Sequence, residues 1–170
     1  MSVPKPVPAP EGLNAEWYAH CAEESLHFQR CSECGKWRHP PRFLCASCGS
    51  ASWRWEPSSG RGSLYTWTVT HQAIHPAYAD EVPYVVGVIE TDEGTRLVGA
   101  MPGVALGELR LGLAVRVGWE RRSDQIILPV WFFGYNKGRS GSRFSSSGLS
   151  NASSTPFPEL GHVPSSGHDQ

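Results

Sequence analysis

No run of apolar residues approaches the ~20 that a membrane-crossing helix needs. The opening MSVPKPVPAPEG has no apolar stretch of the secretory-signal kind. Both absences predict a soluble, cytoplasmic protein with no membrane partner. Charge of neither sign is in excess: 15 Lys and Arg stand against 16 Asp and Glu, for a net charge of −1. Nucleic-acid binders usually carry a basic surplus, so nucleic acid is an unfavoured partner. The chain also lacks a Gly-x-Ser-x-Gly elbow and a His-Glu-x-x-His metal motif. Gly60-Arg61-Gly62 is not a phosphate loop, because no Gly-Lys-Ser/Thr follows and the next segment reads as a strand. No residue is assigned a catalytic role.

Turn-forming residues, by contrast, are plentiful. The 170 residues include 18 glycines and 14 prolines, well above the roughly 12% of average chains. This favours short strands and loops over a helical bundle. Pro4, Pro6, Pro8 and Pro10 predict a disordered arm over residues 1–12. Residues 13–27 read as a helix with Asn14 as N-cap and Trp17, Tyr18, Cys21 and Ala22 on one face. Such a short helix needs something to dock on.

Residues 28–57 lose periodicity and become dense in Cys, Gly, Pro and Trp. Cys31-Ser32-Glu33-Cys34-Gly35 and Cys45-Ala46-Ser47-Cys48-Gly49 give C-x2-C-x10-C-x2-C with a glycine after each pair. Two intervening residues let both sulfurs of a pair reach one ion from a tight turn, and the glycine supplies a positive φ. Two such turns place four thiolates at tetrahedral corners, a closed structural site. Cys31, Cys34, Cys45 and Cys48 are therefore the expected metal ligands, with zinc preferred and iron chemically admissible. Cys21 reads as a helix packing residue, and His27 and His39 as surface histidines. Arg38, Arg42 and Trp37 are available to a phosphate-bearing ligand or an acidic partner surface, or simply offset the anionic metal cluster.

Five segments over residues 58–133 read as β-strands: Ser63–His71, which alternates, Tyr84–Glu90, which is nearly continuously apolar, and Thr95–Met101, Leu113–Arg121 and Ile126–Phe133. Turn residues separate them, notably Thr91-Asp92-Glu93-Gly94. A five-stranded barrel of the OB type fits best. From Gly134 on, ten serines, six glycines and three prolines predict a disordered tail over residues 134–170. The fold class is thus mainly β: a helix, a zinc ribbon, a barrel and a tail.

In this order, FQRCSECGKWRHPPRFLCASCGS, SGRGSLYTWTVTH, VPYVVGVIETDEGTRLVGAM and ILPVWFF resemble a known family. It is the acyl-CoA-associated OB-fold family with an N-terminal rubredoxin-like zinc ribbon, found beside thiolase-like proteins. The resemblance covers roughly residues 13–133. It implies a non-catalytic subunit that stabilises a thiolase or aldolase acting on acyl-CoA thioesters, including steroid side-chain CoA esters, and helps frame the CoA-ester site. It carries over the four cysteines as zinc ligands and no catalytic residue. Whether a CoA thioester touches this chain in the complex is left open.

Two other readings compete. Zinc ribbons and OB barrels also bind single-stranded nucleic acid, and Trp67, Trp119, Trp131, Phe132 and Phe133 would be its stacking platform. Against this, residues 56–133 hold six basic and nine acidic residues, and these aromatics fall within strands. A stand-alone acyl-CoA-binding or enzymatic domain is the other alternative. Its acid–base candidates are the loop residues His71, His75, Tyr78, Asp80 and Glu81, for which a polar barrel rim is the simpler reading.

Overall fold

The computed structural model describes residues 3–133; the tail expected over 134–170 lies outside the described residues. One helix, α1 (Leu13–Ala22), leads into a three-stranded sheet made of β1 (His27–Cys31), β2 (Trp37–Arg38) and β3 (Trp53–Pro57). Its order is β2-β1-β3, antiparallel throughout. A second, five-stranded sheet follows: β4 (Arg61–Thr70), β5 (Tyr84–Thr91), β6 (Arg96–Ala100), β7 (Ala114–Arg121) and β8 (Ile127–Phe133). All five strands expected from the apolar pattern and turn residues are present, each within two residues of the predicted ends.

The second sheet runs β6-β5-β4-β7-β8, and β6 also packs against β8. That closes the sheet into an almost complete barrel with the strand connectivity of an OB fold. Closure depends on a missing side chain. A Cβ at Gly99 on β6 would lie 2.7 Å from Cδ1 of Trp131 on β8, so glycine is what lets the two edges approach around the indole. Trp131 itself is wholly buried. β4 bends at a register shift between Leu64 and Thr66, the kind of bulge that adds twist and helps a short sheet curl.

One core serves the whole described chain. Trp17 and Cys21 from α1, together with Leu26 and Phe28 at the base of the ribbon, join Leu64, Val85, Ile89, Leu97, Met101, Leu113, Val115 and Trp131 of the barrel. The helix therefore docks on its own protein, packing on β8 and β1 and donating a hydrogen bond from Trp17 Nε1 to the His27 carbonyl at 3.0 Å. Burial of this apolar face, at about 25 cal/mol per Å², is what holds a ten-residue helix that would be marginal alone.

The helix departs from the sequence expectation at both ends. It starts after Gly12, and no side chain caps it; Asn14 is already inside the first turn, its N–H bonded to the Glu11 carbonyl at 3.1 Å. It stops at Ala22, because Leu26 and His27 are needed to enter β1, and Ala22 is exposed. The proline-rich segment forms no helix or strand, yet Lys5 pairs with Glu81 and lies 5.3 Å from the Tyr78 ring centroid. Among the described residues no helix is long and apolar enough to cross a membrane.

Candidate metal centre

The first cysteine pair sits at a turn that begins at the end of β1, and the second at a turn in the segment before β3. Cys31 ends β1, and its N–H donates to the Lys36 carbonyl at 2.9 Å while Gly35 N–H returns to the Cys31 carbonyl at 3.1 Å. The second turn repeats the pattern: Cys45 N–H donates to the Ser50 carbonyl at 2.9 Å and Gly49 N–H to the Cys45 carbonyl at 2.8 Å. Gly35 and Gly49 have φ of 70° and 74°, the left-handed backbone expected of the glycine after each pair.

The two turns face each other and bring all four sulfurs together. The Sγ atoms of Cys31, Cys34, Cys45 and Cys48 lie within 4.8 Å of one another. Cys31 and Cys48 are 3.6 Å apart, as are Cys34 and Cys45. A tetrahedron with metal–sulfur bonds of ~2.3 Å has edges of about 3.8 Å, whereas a disulfide would need about 2.05 Å. The spacing fits a tetrahedral ion and is too long for a disulfide, and all four cysteines are free.

Local electrostatics say the same. The amide N–H groups of Cys34 and Glu33 lower the Cys31 thiol, and those of Ser47 and Cys48 bring Cys45 down to about 6. The Ser50 amide acts on Cys48 in the same sense, but the sulfur of Cys34, burial and the sulfurs of Cys31 and Cys45 prevail and push it up to about 12. Four thiolates this close are stable together only around a cation. The donor set, four sulfurs and nothing else, suits zinc.

The surroundings hold the site in shape. Arg30 is held at two points: Nε donates to the Gly35 carbonyl at 3.0 Å, and Nη1 pairs with Glu56 at 3.0 Å. Gln29, wholly buried in β1, accepts a 2.8 Å hydrogen bond from the Arg42 N–H and so fixes the segment between the two turns. Nothing in the sequence marked Gln29, since a glutamine reads as surface. His39 is a correction as well. Its ring is largely buried, 5.0 Å from Trp17 and 5.4 Å from Phe28 between centroids, and burial depresses its pKa to about 4. His27 is half-buried and stacks on His20 at 4.0 Å.

The other candidates do not converge. His75 accepts a hydrogen bond from the Ala77 N–H at 3.2 Å, Tyr78 lies under Lys5, and Glu81 pairs with Lys5; His71 and Asp80 are exposed. These contacts shape a rim. Of the aromatic set, Trp131 is core, Trp67, Trp119 and Phe133 are half-buried against it, and Phe132 is exposed. They form no open stacking platform. Cys21 is wholly buried, as a packing residue should be.

Comparison with known proteins agrees with this architecture. Residues 19–54 match the ChsH2 rubredoxin-like zinc ribbon domain, and residues 55–120 the ChsH2 C-terminal OB-fold domain. The chain is 38% identical over 127 residues to a probable enoyl-CoA hydratase alpha subunit of Thermomonospora curvata, covering 75% of this chain and 39% of that protein. It is 32% identical over 106 residues to the 3-oxo-4,17-pregnadiene-20-carboxyl-CoA hydratase alpha subunit of Mycobacterium tuberculosis, covering 62% of this chain and 31% of that protein. It thus spans about a third of the length of these two relatives. Among solved structures it is similar to a chain of the Ltp2-ChsH2(DUF35) aldolase, with TM-score 0.69 and 37% identity, over 75% of this chain and 98% of that one. With the zinc-ribbon and OB-fold models matching in order over residues 19–120 and similarity to 98% of that solved chain, the chain belongs to the DUF35/ChsH2 family of zinc-ribbon and OB-fold proteins.

Proposed function

We propose that this chain is an accessory subunit of a thiolase-like enzyme acting on acyl-CoA thioesters. It binds and stabilises that enzyme and helps frame its CoA-ester site, while the chemistry resides in the partner. The observation that carries this reading is the similarity at 37% identity to essentially the whole of one chain of an aldolase assembly. The subunit names of the two hydratase relatives support it, and one of them points to steroid side-chain CoA esters as the acyl class. Zinc held by Cys31, Cys34, Cys45 and Cys48 acts as a structural cross-link, tying β1 to the segment before β3. Unpaired thiols clustered for metal suit a reducing compartment such as the cytoplasm.

The ribbon also carries an apolar tip suited to docking. Phe43 and Leu44 are 72% and 60% exposed directly before Cys45, and exposed apolar groups of this size favour protein contacts. The test is capture from the native host followed by mass spectrometry. A thiolase-like enzyme should be retained in near-stoichiometric amount by the intact chain, and lost with Phe43→Asp while zinc content is unchanged. Retention of nucleic acid with no such enzyme would overturn the reading.

A further inference from the structure

A pocket of about 230 Å³ opens between the ribbon and the β5–β6 turn, with Trp37, Arg38, His39 and Arg42 on one side and Thr95 and Arg96 on the other. Three guanidinium groups line it and no carboxylate does. Arg96 is held in place by Glu90 at 3.0 Å and by stacking 3.5 Å over Tyr65. Arg38 is different. Its Nε, Nη1 and Nη2 are all buried and none has a hydrogen-bond partner among the described residues; its guanidinium carbon lies 5.9 Å from the Trp53 ring centroid. None of those nitrogens bonds a sulfur of the cysteine cluster, so the metal site does not account for them. His39 adds a buried Nδ1 that is equally without a partner.

A cation buried with all its donors unused is costly unless an anion meets it. Guanidinium forks match carboxylates and phosphates alike; Arg96 is already offset by Glu90, but Arg38 and Arg42 pair with no carboxylate among the described residues, and two such cations favour a dianion with several oxygens. The volume falls below the ~300 Å³ at which pockets begin to enclose whole ligands, and so suits a head group. We propose that this pocket is a phosphate site, where Arg38 and Arg42, with Arg96 at the rim, hold the phosphomonoester of a small molecule. The site does not depend on the identity of the partner enzyme.

The test uses the zinc-loaded full chain and amide NMR shifts, titrated with inorganic phosphate at ionic strength held constant with chloride. Saturable shifts are expected for residues 37–46 and 94–96. Arg38→Gln should weaken binding about tenfold or more, as loss of a charge-assisted bond implies. Because Arg38 is buried, Arg42→Gln, at an exposed position, gives a second reading if the first variant loses zinc or its fold; a weakening of about threefold or more is expected. Coenzyme A and its 3′-dephospho form separate the sources. Tighter binding of the former assigns the site to the CoA 3′-phosphate, and equal binding with retained phosphate affinity assigns it to free phosphate. Shifts that chloride reproduces, or phosphate affinity unchanged in the folded arginine variants, would overturn the proposal while leaving the subunit reading untouched.

Discussion

Gly99→Ala should open the barrel's closing seam. The added Cβ would sit 2.7 Å from Trp131 Cδ1, 2.9 Å from its Nε1 and 3.5 Å from the Pro129 carbonyl oxygen. Carbon atoms in contact prefer about 3.5–4.0 Å, so the overlap is close to an ångström. Trp131 has no exposed surface into which it can retreat. Overpacking of this kind costs about 1–3 kcal/mol, and for a folded unit of this size that lowers Tm by roughly 3–12 °C. Thermal unfolding followed by tryptophan fluorescence reads the effect. Trp131→Phe removes part of the obstacle, so Gly99→Ala should cost about 1 kcal/mol less in that background, as coupled neighbours do in a double-mutant cycle. A single variant that melts within about a degree of the parent, or an equal cost in both backgrounds, would refute the seam.

The remaining predictions concern the metal, one carboxylate and one thiol. Cys34→Ser, or chelation, should abolish bound zinc and lower the melting temperature of the barrel too, because ribbon and barrel share a core and metal binding contributes folding free energy; metal content and calorimetry check this, and an unchanged barrel transition would count against a common core. Burial works against the charge of Glu93, but the Ser59 N–H at 2.7 Å and the Ser58 hydroxyl at 2.9 Å outweigh it and hold its pKa below the usual value. A depressed carboxylate stabilises the fold above its unfolded pKa and loses that contribution as pH falls through the folded one, so Glu93→Gln should cost about 1 kcal/mol at pH 7 and converge with the parent in acid; urea titrations at both pH values show whether it does. Burial raises the Cys21 thiol to about 12, so in the zinc-loaded protein it should resist a disulfide reagent until the chain unfolds, and rapid labelling under native conditions would show that α1 is not docked.

The strands and the metal centre were legible for different reasons. Tyr84–Thr91 was legible as a nearly continuous apolar run bounded by turn residues; in the fold one face of β5 is core, with Val85, Ile89 and Thr91 buried, and the following Gly94 has the positive φ its turn requires. The cysteine spacing was legible because thiolates at tetrahedral corners need those turns whatever surrounds them. Features created by tertiary packing were hidden. Gln29, Arg38 and His39 are residue types that usually face water, and only the meeting of ribbon, helix and barrel buries them. The helix end was overrun for the same reason: residues 23–27 keep helical composition, and the demand of β1 for His27 decides the boundary. Gly99 carried no signal at all, since its partner Trp131 is 32 residues away in a strand that sequence could not pair with it.

The most direct measurement is the melting temperature and turnover of the captured thiolase-like enzyme, with and without one equivalent of the zinc-loaded chain. If this chain is an accessory subunit, both quantities should rise with the intact protein and stay at baseline with Cys34→Ser. An enzyme that is equally stable and equally active in its absence would contradict that role.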